Sequence, residues 1–246
     1  MALFDKNLID IRNYLSRKSA DGKVTESVHS APNGWPEDRK RNLVLGQDTA
    51  VELGHPNDAS TAFLFWVDDP SAVRHGRITI VGPDLPALTN QVSFGRVVIV
   101  GGDGFDEENS YGRYREMELL RYDIHLKGYM MRSASQFHRE WSRVSRQAVA
   151  GGFSLRTLGG ALIDRFSGLA YARSVEVIFV TSDREAVLEL QGIAGPVLQR
   201  IGAMNKMAGE MSFDCDDCEY NAVCGDVAEL RSMRNVLHKK EADAHG

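Results

Sequence analysis

The chain has 246 residues, 43% hydrophobic and 26% charged, with 34 acids against 29 bases for a formal charge of -5. That apolar share supports a real core, and the length suits one large domain or two small ones. The acidic balance excludes general nucleic-acid affinity, which needs surplus Lys and Arg to neutralise phosphates. No apolar run approaches the ~20 residues of a membrane-spanning helix, and the N-terminus lacks the unbroken apolar stretch of a signal peptide. A cytoplasmic protein is therefore expected, with its thiols kept reduced.

The first fifteen residues read as an amphipathic helix, with Leu3, Leu8, Ile11 and Leu15 near one face. Residues 17–42 are polar and hold Gly22, Pro32, Gly34 and Pro36, which predicts an extended lead-in loop. The division expected is 1–42 for helix and lead-in, 43–205 for a body and 206–246 for a tail. Within the body, Ala62–Val67, Arg77–Gly82, Gly95–Gly101 and Ser174–Thr181 carry β-branched or aromatic residues between glycine and proline borders, as strands do. The last two are nearly continuous apolar runs, which suits strands covered on both faces.

Between the third and fourth strands the periodicity turns helical. Met117, Leu120, Ile124 and Tyr129 mark a helix from Tyr114 to about Met131. Phe137, Trp141, Val144 and Ala148 mark another over 136–150, with Arg139, Arg143 and Arg146 on its opposite face. Gly151 and Gly152 offer its C-terminal cap, and Ser154 an N-cap for a helix over Leu155–Phe166. Ser182 or Asp183 caps a further helix from Arg184, which Pro196 should bend or break. Strands separated by helices predict an α/β fold: a layered sheet with flanking helices, plus a C-terminal cysteine-containing helical tail. The glycines of Gly101-Gly102-Asp103-Gly104 match neither phosphate-loop pattern, and the acids beside them oppose a phosphate.

Residues 111–165 hold nine arginines and one lysine against five acids. This is either a docking surface for phosphates or an acidic partner, or a solvated face paired with its own carboxylates. His125 and His138 lie in the same region and carry no catalytic expectation.

All three cysteines fall within ten residues, as Cys215-x2-Cys218-x5-Cys224. A C-x2-C pair lets two thiolates reach one metal from a tight turn, and the third can close back as the next segment enters a helix. Soft thiolates select zinc or iron–sulfur iron, and the spacing suits both. Three reduced thiols, or a redox disulfide between Cys215 and Cys218, are the competing readings. The fourth ligand falls to His238, to Asp214, Asp216, Asp217 or Glu219, to a partner chain, or to substrate at an open position.

Several stretches resemble the middle region of the acetyl-CoA synthase (carbon monoxide dehydrogenase/acetyl-CoA synthase β subunit) family. They are Val51-Glu52-Leu53-Gly54, Asp68-Asp69-Pro70, Gly76 to Leu85, Glu116 to Leu119, Trp141 to Ser145, Leu155 to Gly159 and Val175 to Thr181. Together they span about residues 43–185. The family makes acetyl-CoA from a corrinoid-borne methyl group, carbon monoxide and CoA at a nickel–iron–sulfur cluster. That cluster is held by a separate region with a longer spacing after its own C-x2-C pair. The resemblance implies CoA or partner contacts for Arg139, Arg143, Arg146 and Arg156. It also implies a corrinoid or redox protein as partner. The expected cofactor is an iron–sulfur cluster of the four-iron–four-sulfur type, or zinc. The implied functions are an accessory or electron-transfer protein of one-carbon metabolism, an enzyme acting on a CoA thioester or methyl donor, or a zinc-stabilised interaction module.

Overall fold

The computed structural model describes residues 3–32, 34–38, 50–88, 91–134, 139–209 and 220–244. In chain order the elements are α1 (Asp5–Ala20), β1 (Val24–Val28), β2 (Ala50–Leu53), β3 (Ser60–Val67), β4 (Arg77–Val81), β5 (Gln91–Val92), β6 (Phe94–Gly102) and α2 (Ser110–Leu120). Then come β7 (Tyr129–Ala134), β8 (Glu140–Ser145), α3 (Arg146–Ala150), α4 (Leu155–Ser167), β9 (Ala172–Val180), α5 (Arg184–Gly209), α6 (Asn221–Asp226) and α7 (Ala228–Ala244).

Two sheets share the body. The larger has the order β1-β4-β9-β6-β3 and the smaller β5-β2-β8-β7. In the larger sheet β4 runs parallel to β9 and β3 parallel to β6, while β1 and β6 pair antiparallel to β4 and β9. Every residue of β3 and β6 is buried, as is all of β9 except Arg173. The continuous apolar runs of these strands therefore follow from helices on both faces. Ile78 is opposite Val177 and Gly95 opposite Val180, so the two pairs point to opposite faces. On the first face α4 comes close enough that a Cβ on Gly159 would lie 3.0 Å from Ile78. On the second, Leu190 of α5 would lie 2.6 Å from a Cβ on Gly95. The larger sheet is thus the middle of an α/β/α sandwich, and the layered α/β expectation holds.

Residues 17–42 are not simply a lead-in loop. α1 extends to Ala20, and Val24–Val28 forms an edge strand on β4. α1 buries Leu8, Ile11, Tyr14 and Leu15. It lies antiparallel along α5, with Tyr14 donating to the Ala186 carbonyl near the start of α5 and Arg200, further along α5, donating to Asn7. Its Arg12 grips Glu176 on β9 with both terminal nitrogens, at 2.6 and 2.7 Å. Arg74 holds the same carboxylate from the other side, at 2.7 and 3.0 Å.

Two further expectations are corrected, and a third in part. The pattern over 136–150 is not one helix, because residues 140–145 form β8, paired to β2 and β7, and among the described residues of that span only 146–150 are helical. The helix from Tyr114 ends at Leu120, and Tyr129 to Ala134 is the strand β7. Pro196 lies inside an unbroken α5. It sits on the exposed side of that helix, four residues after Gly192, so the carbonyl it frees faces water and meets no bulky side chain. The capping expectations hold: Ser154 and Thr157 form a reciprocal capping box on α4, and Asp183 accepts from the Ala186 amide at 2.7 Å.

Candidate functional site

Two regions hold chemically distinctive residues: the segment with the three cysteines and a buried layer of charge where the two sheets meet. α5 leads from the body into the tail and ends at Gly209. Cys215 and Cys218 lie outside the described residues. Cys224 lies on α6, its amide bonded to the Tyr220 carbonyl at 2.9 Å, and is 5% exposed. It belongs to the same apolar cluster as Met204, Met207, Leu230 and Met233 of α5 and α7.

Three contacts hold the corner, one within it and two to the rest of the body. The Tyr220 ring lies on Gly202 so closely that a Cβ there would sit 2.7 Å from the phenol oxygen. Ser232 of α7 donates to Glu107 in the loop after β6 at 3.0 Å. Tyr111 at the start of α2 donates to Asn205 of α5. His238 is on α7, ten residues past its start, or about 15 Å of helical rise. Its side chain lies outside the described residues. Among the described residues no three His, Cys, Asp or Glu side chains converge as metal ligands.

A thiol presented to an apolar interior favours its neutral form, so a bound cation would supply the charge that keeps it a thiolate. The donor set of three soft sulfurs fits zinc or iron, and the buried position of Cys224 fits a centre shielded from water.

The four arginines singled out in the sequence do not form one face. Arg143 is 8% exposed and paired with Glu52 at 2.6 Å, directly across β8 and β2, with its guanidinium over the Trp141 ring. Arg139 donates to the carbonyls of Pro56 and Asp58 at 3.1 and 2.7 Å. Arg146 and Arg156 are exposed, at the starts of α3 and α4.

The buried layer was not legible as a site. Arg96 on β6 meets Glu140 on β8 at 2.6 Å, with side chains 4% and 0% exposed. The contact lies off the line of a hydrogen bond, and Glu140 also accepts from Ser142 at 3.1 Å. Ser142 in turn shares a hydrogen bond with the Tyr129 hydroxyl at 3.1 Å. Burial, with the nearby Glu140 adding to it, pushes the Tyr129 phenol well above its ordinary range. The Ser60 hydroxyl donates to the Glu140 carbonyl at 2.6 Å, which fixes β8 against β3. The one available signal was charge inside strand-like runs: Glu52 and Arg96 sit among apolar neighbours, where a charge needs a partner.

The profile of the CO dehydrogenase/acetyl-CoA synthase complex beta subunit family matches residues 40–187. The chain belongs to that family. A curated relative, the acetyl-CoA decarbonylase/synthase complex subunit beta of Methanopyrus kandleri, is 28% identical over 155 residues. The alignment covers 62% of this chain and 32% of the relative, so the chain spans about a third of that relative's length. The family match takes in both sheets except β1, together with α2, α3 and α4, and stops just inside α5. All three cysteines come after it. No helix among the described residues is long and apolar enough to cross a membrane.

Proposed function

We propose that this family member binds an iron–sulfur cluster through Cys215, Cys218 and Cys224 and serves as an accessory or electron-transfer protein in corrinoid-linked one-carbon metabolism. The observation that carries the reading is the buried Cys224 at the corner of α5, α6 and α7. Only Glu219 lies between Tyr220 and Cys218, so the two are within a reach of at most about 7 Å. The fourth ligand is a neighbouring carboxylate, a partner's group or His238, which starts farthest along α7. The relative is named as a subunit of a complex, which supports a protein partner. Residues 206–246 act as the cluster-bearing tail and 43–205 as the scaffold. Arg146 and Arg156, which reach solvent, are our candidates for CoA contacts; Arg139 and Arg143 serve mainly to hold β8 in place.

Anaerobic purification followed by visible absorption tests the reading. A broad brown absorbance with matching iron and sulfide is expected, together with its loss in Cys218→Ser. A colourless protein carrying one zinc would instead support a structural metal that pins the tail, a reading that the Tyr220–Gly202 and Ser232–Glu107 contacts favour. Metal content unchanged by Cys218→Ser would remove both.

A further inference from the structure

β1 is the outer strand of the larger sheet, and it lies outside the stretch that the family profile matches. Its inner side pairs antiparallel with β4, Val24 opposite Val81 and Val28 opposite Arg77. The bonds at the two ends of this ladder fix which backbone groups face inward. Gly82 donates to the Lys23 carbonyl at 2.8 Å, and the His29 amide donates to the Gly76 carbonyl at 2.8 Å. The odd-numbered residues of the segment therefore bond toward β4. Antiparallel ladders alternate, so the amides and carbonyls of Val24, Glu26 and Val28 point outward. No strand among the described residues takes them.

The side chains along this edge follow nearly the same chemical order in both directions: Val24-Thr25-Glu26-Ser27-Val28. A two-fold axis at Glu26 sets Val24 of one copy opposite Val28 of the other, Thr25 opposite Ser27, and Glu26 opposite itself. The outward groups at 24, 26 and 28 then meet their equivalents, and each such pair exchanges two hydrogen bonds. Val28 is 60% exposed in the single chain, and the pairing covers it with a valine. The Thr25 and Ser27 hydroxyls face each other on the opposite side of the sheet. A charged residue normally blunts a free edge. Here Glu26 is already held by Arg74 at 2.8 Å and Arg77 at 3.3 Å, so the central contact is not one between bare carboxylates.

We propose that β1 is a self-association edge, which joins two copies of this chain through an isologous antiparallel β1–β1 contact into one continuous sheet. The contact closes on itself, so it makes dimers and nothing larger. Five residues a side bury less than the roughly 1,200–2,000 Å² of a standard stable interface, so the dimer dissociates in the micromolar range. The edge is independent of the cysteine tail and of any metal there.

Sedimentation equilibrium of the full chain under reductant, from about 1 to 200 μM, reads the association. The mass should rise with concentration from 27.3 kDa toward twice that value and no further. Val28→Lys changes an exposed side chain and leaves the inward ladder intact; it should raise the dimer Kd by about tenfold or more. Amide exchange followed by NMR reads the register. Protection at Glu26 and Val28 should grow with concentration, while Thr25 and Ser27, bonded to β4, stay protected throughout. A monomer over the whole range, a Val28→Lys dimer as tight as wild type, or a dimer that leaves the Glu26 and Val28 amides exchanging freely would overturn the proposal. Should Val28→Lys fail to fold, the wild-type amide pattern still decides it.

Discussion

Replacing Glu176 with Gln should unfasten the N-terminal helix from the sheet, and the structure sets the scale of the loss. The carboxylate is fully buried and accepts from Arg12 at 2.6 and 2.7 Å, from the Arg74 side chain at 2.7 and 3.0 Å and from the Arg74 amide at 3.2 Å. Breaking a wholly buried ion pair costs about 3–5 kcal/mol. Here the Arg12 and Arg74 side chains are 28% and 37% exposed, so water recovers part of their charge and about 2–3 kcal/mol remains. At roughly 2–4 °C per kcal/mol for a chain of this size, the melting temperature should fall by about 4–12 °C.

The loss should also depend on pH. Burial alone would raise the Glu176 pKa, but Arg12 and Arg74 together outweigh it and hold the carboxyl below its usual range near 4.5. A depressed carboxyl pKa means that the unfolded state binds more protons on the acid side. Its stabilisation is therefore complete above about pH 4.5 and is lost as pH falls through the folded-state value. The gap between wild type and variant, measured by urea unfolding, should be full at pH 7 and shrink steadily below pH 4.5. A variant as stable as wild type at pH 7, or a gap that does not shrink in acid, would refute the reasoning.

Three further outcomes follow from other contacts. Gly202→Ala should push Tyr220 off α5 and expose the tail to limited proteolysis near residue 220 while leaving the sheets folded; an unchanged digestion pattern would show that the ring is not needed for docking. Arg96→Met should cost about 3–5 kcal/mol by stranding Glu140, whereas the pair Arg96→Met with Glu140→Leu should recover most of it in chemical unfolding. Ser154→Ala should remove about 1 kcal/mol by deleting the capping box of α4, measurable as a shift in urea midpoint at constant slope.

The strands of the larger sheet were readable because β3, β6 and β9 are buried on both faces and so carry unbroken apolar runs. The helices starting after Ser154 and Asp183 were readable from their caps. The smaller sheet was hidden for a physical reason. Phe137, Trp141, Val144 and Ala148 repeat at helical spacing, yet β8 is held by pairing with β2 and β7, contacts remote in sequence that a local period does not register. The same remoteness disguised the charges. Arg143 looked like part of a solvent face until Glu52 appeared opposite it, and Glu140 until Arg96 did. β1 was missed because it is a polar edge strand among turn residues. The cysteine spacing is a reading of the sequence alone, to which the structure adds the buried position of Cys224.

X-ray absorption at the metal edge of anaerobically purified full-length protein addresses the central claim most directly. The account predicts an iron edge whose first shell is sulfur, from sulfide and thiolate together, with a neighbouring iron beyond it, and loss of most of that signal in Cys224→Ser. A first shell without sulfur, or one left intact by that substitution, would contradict it.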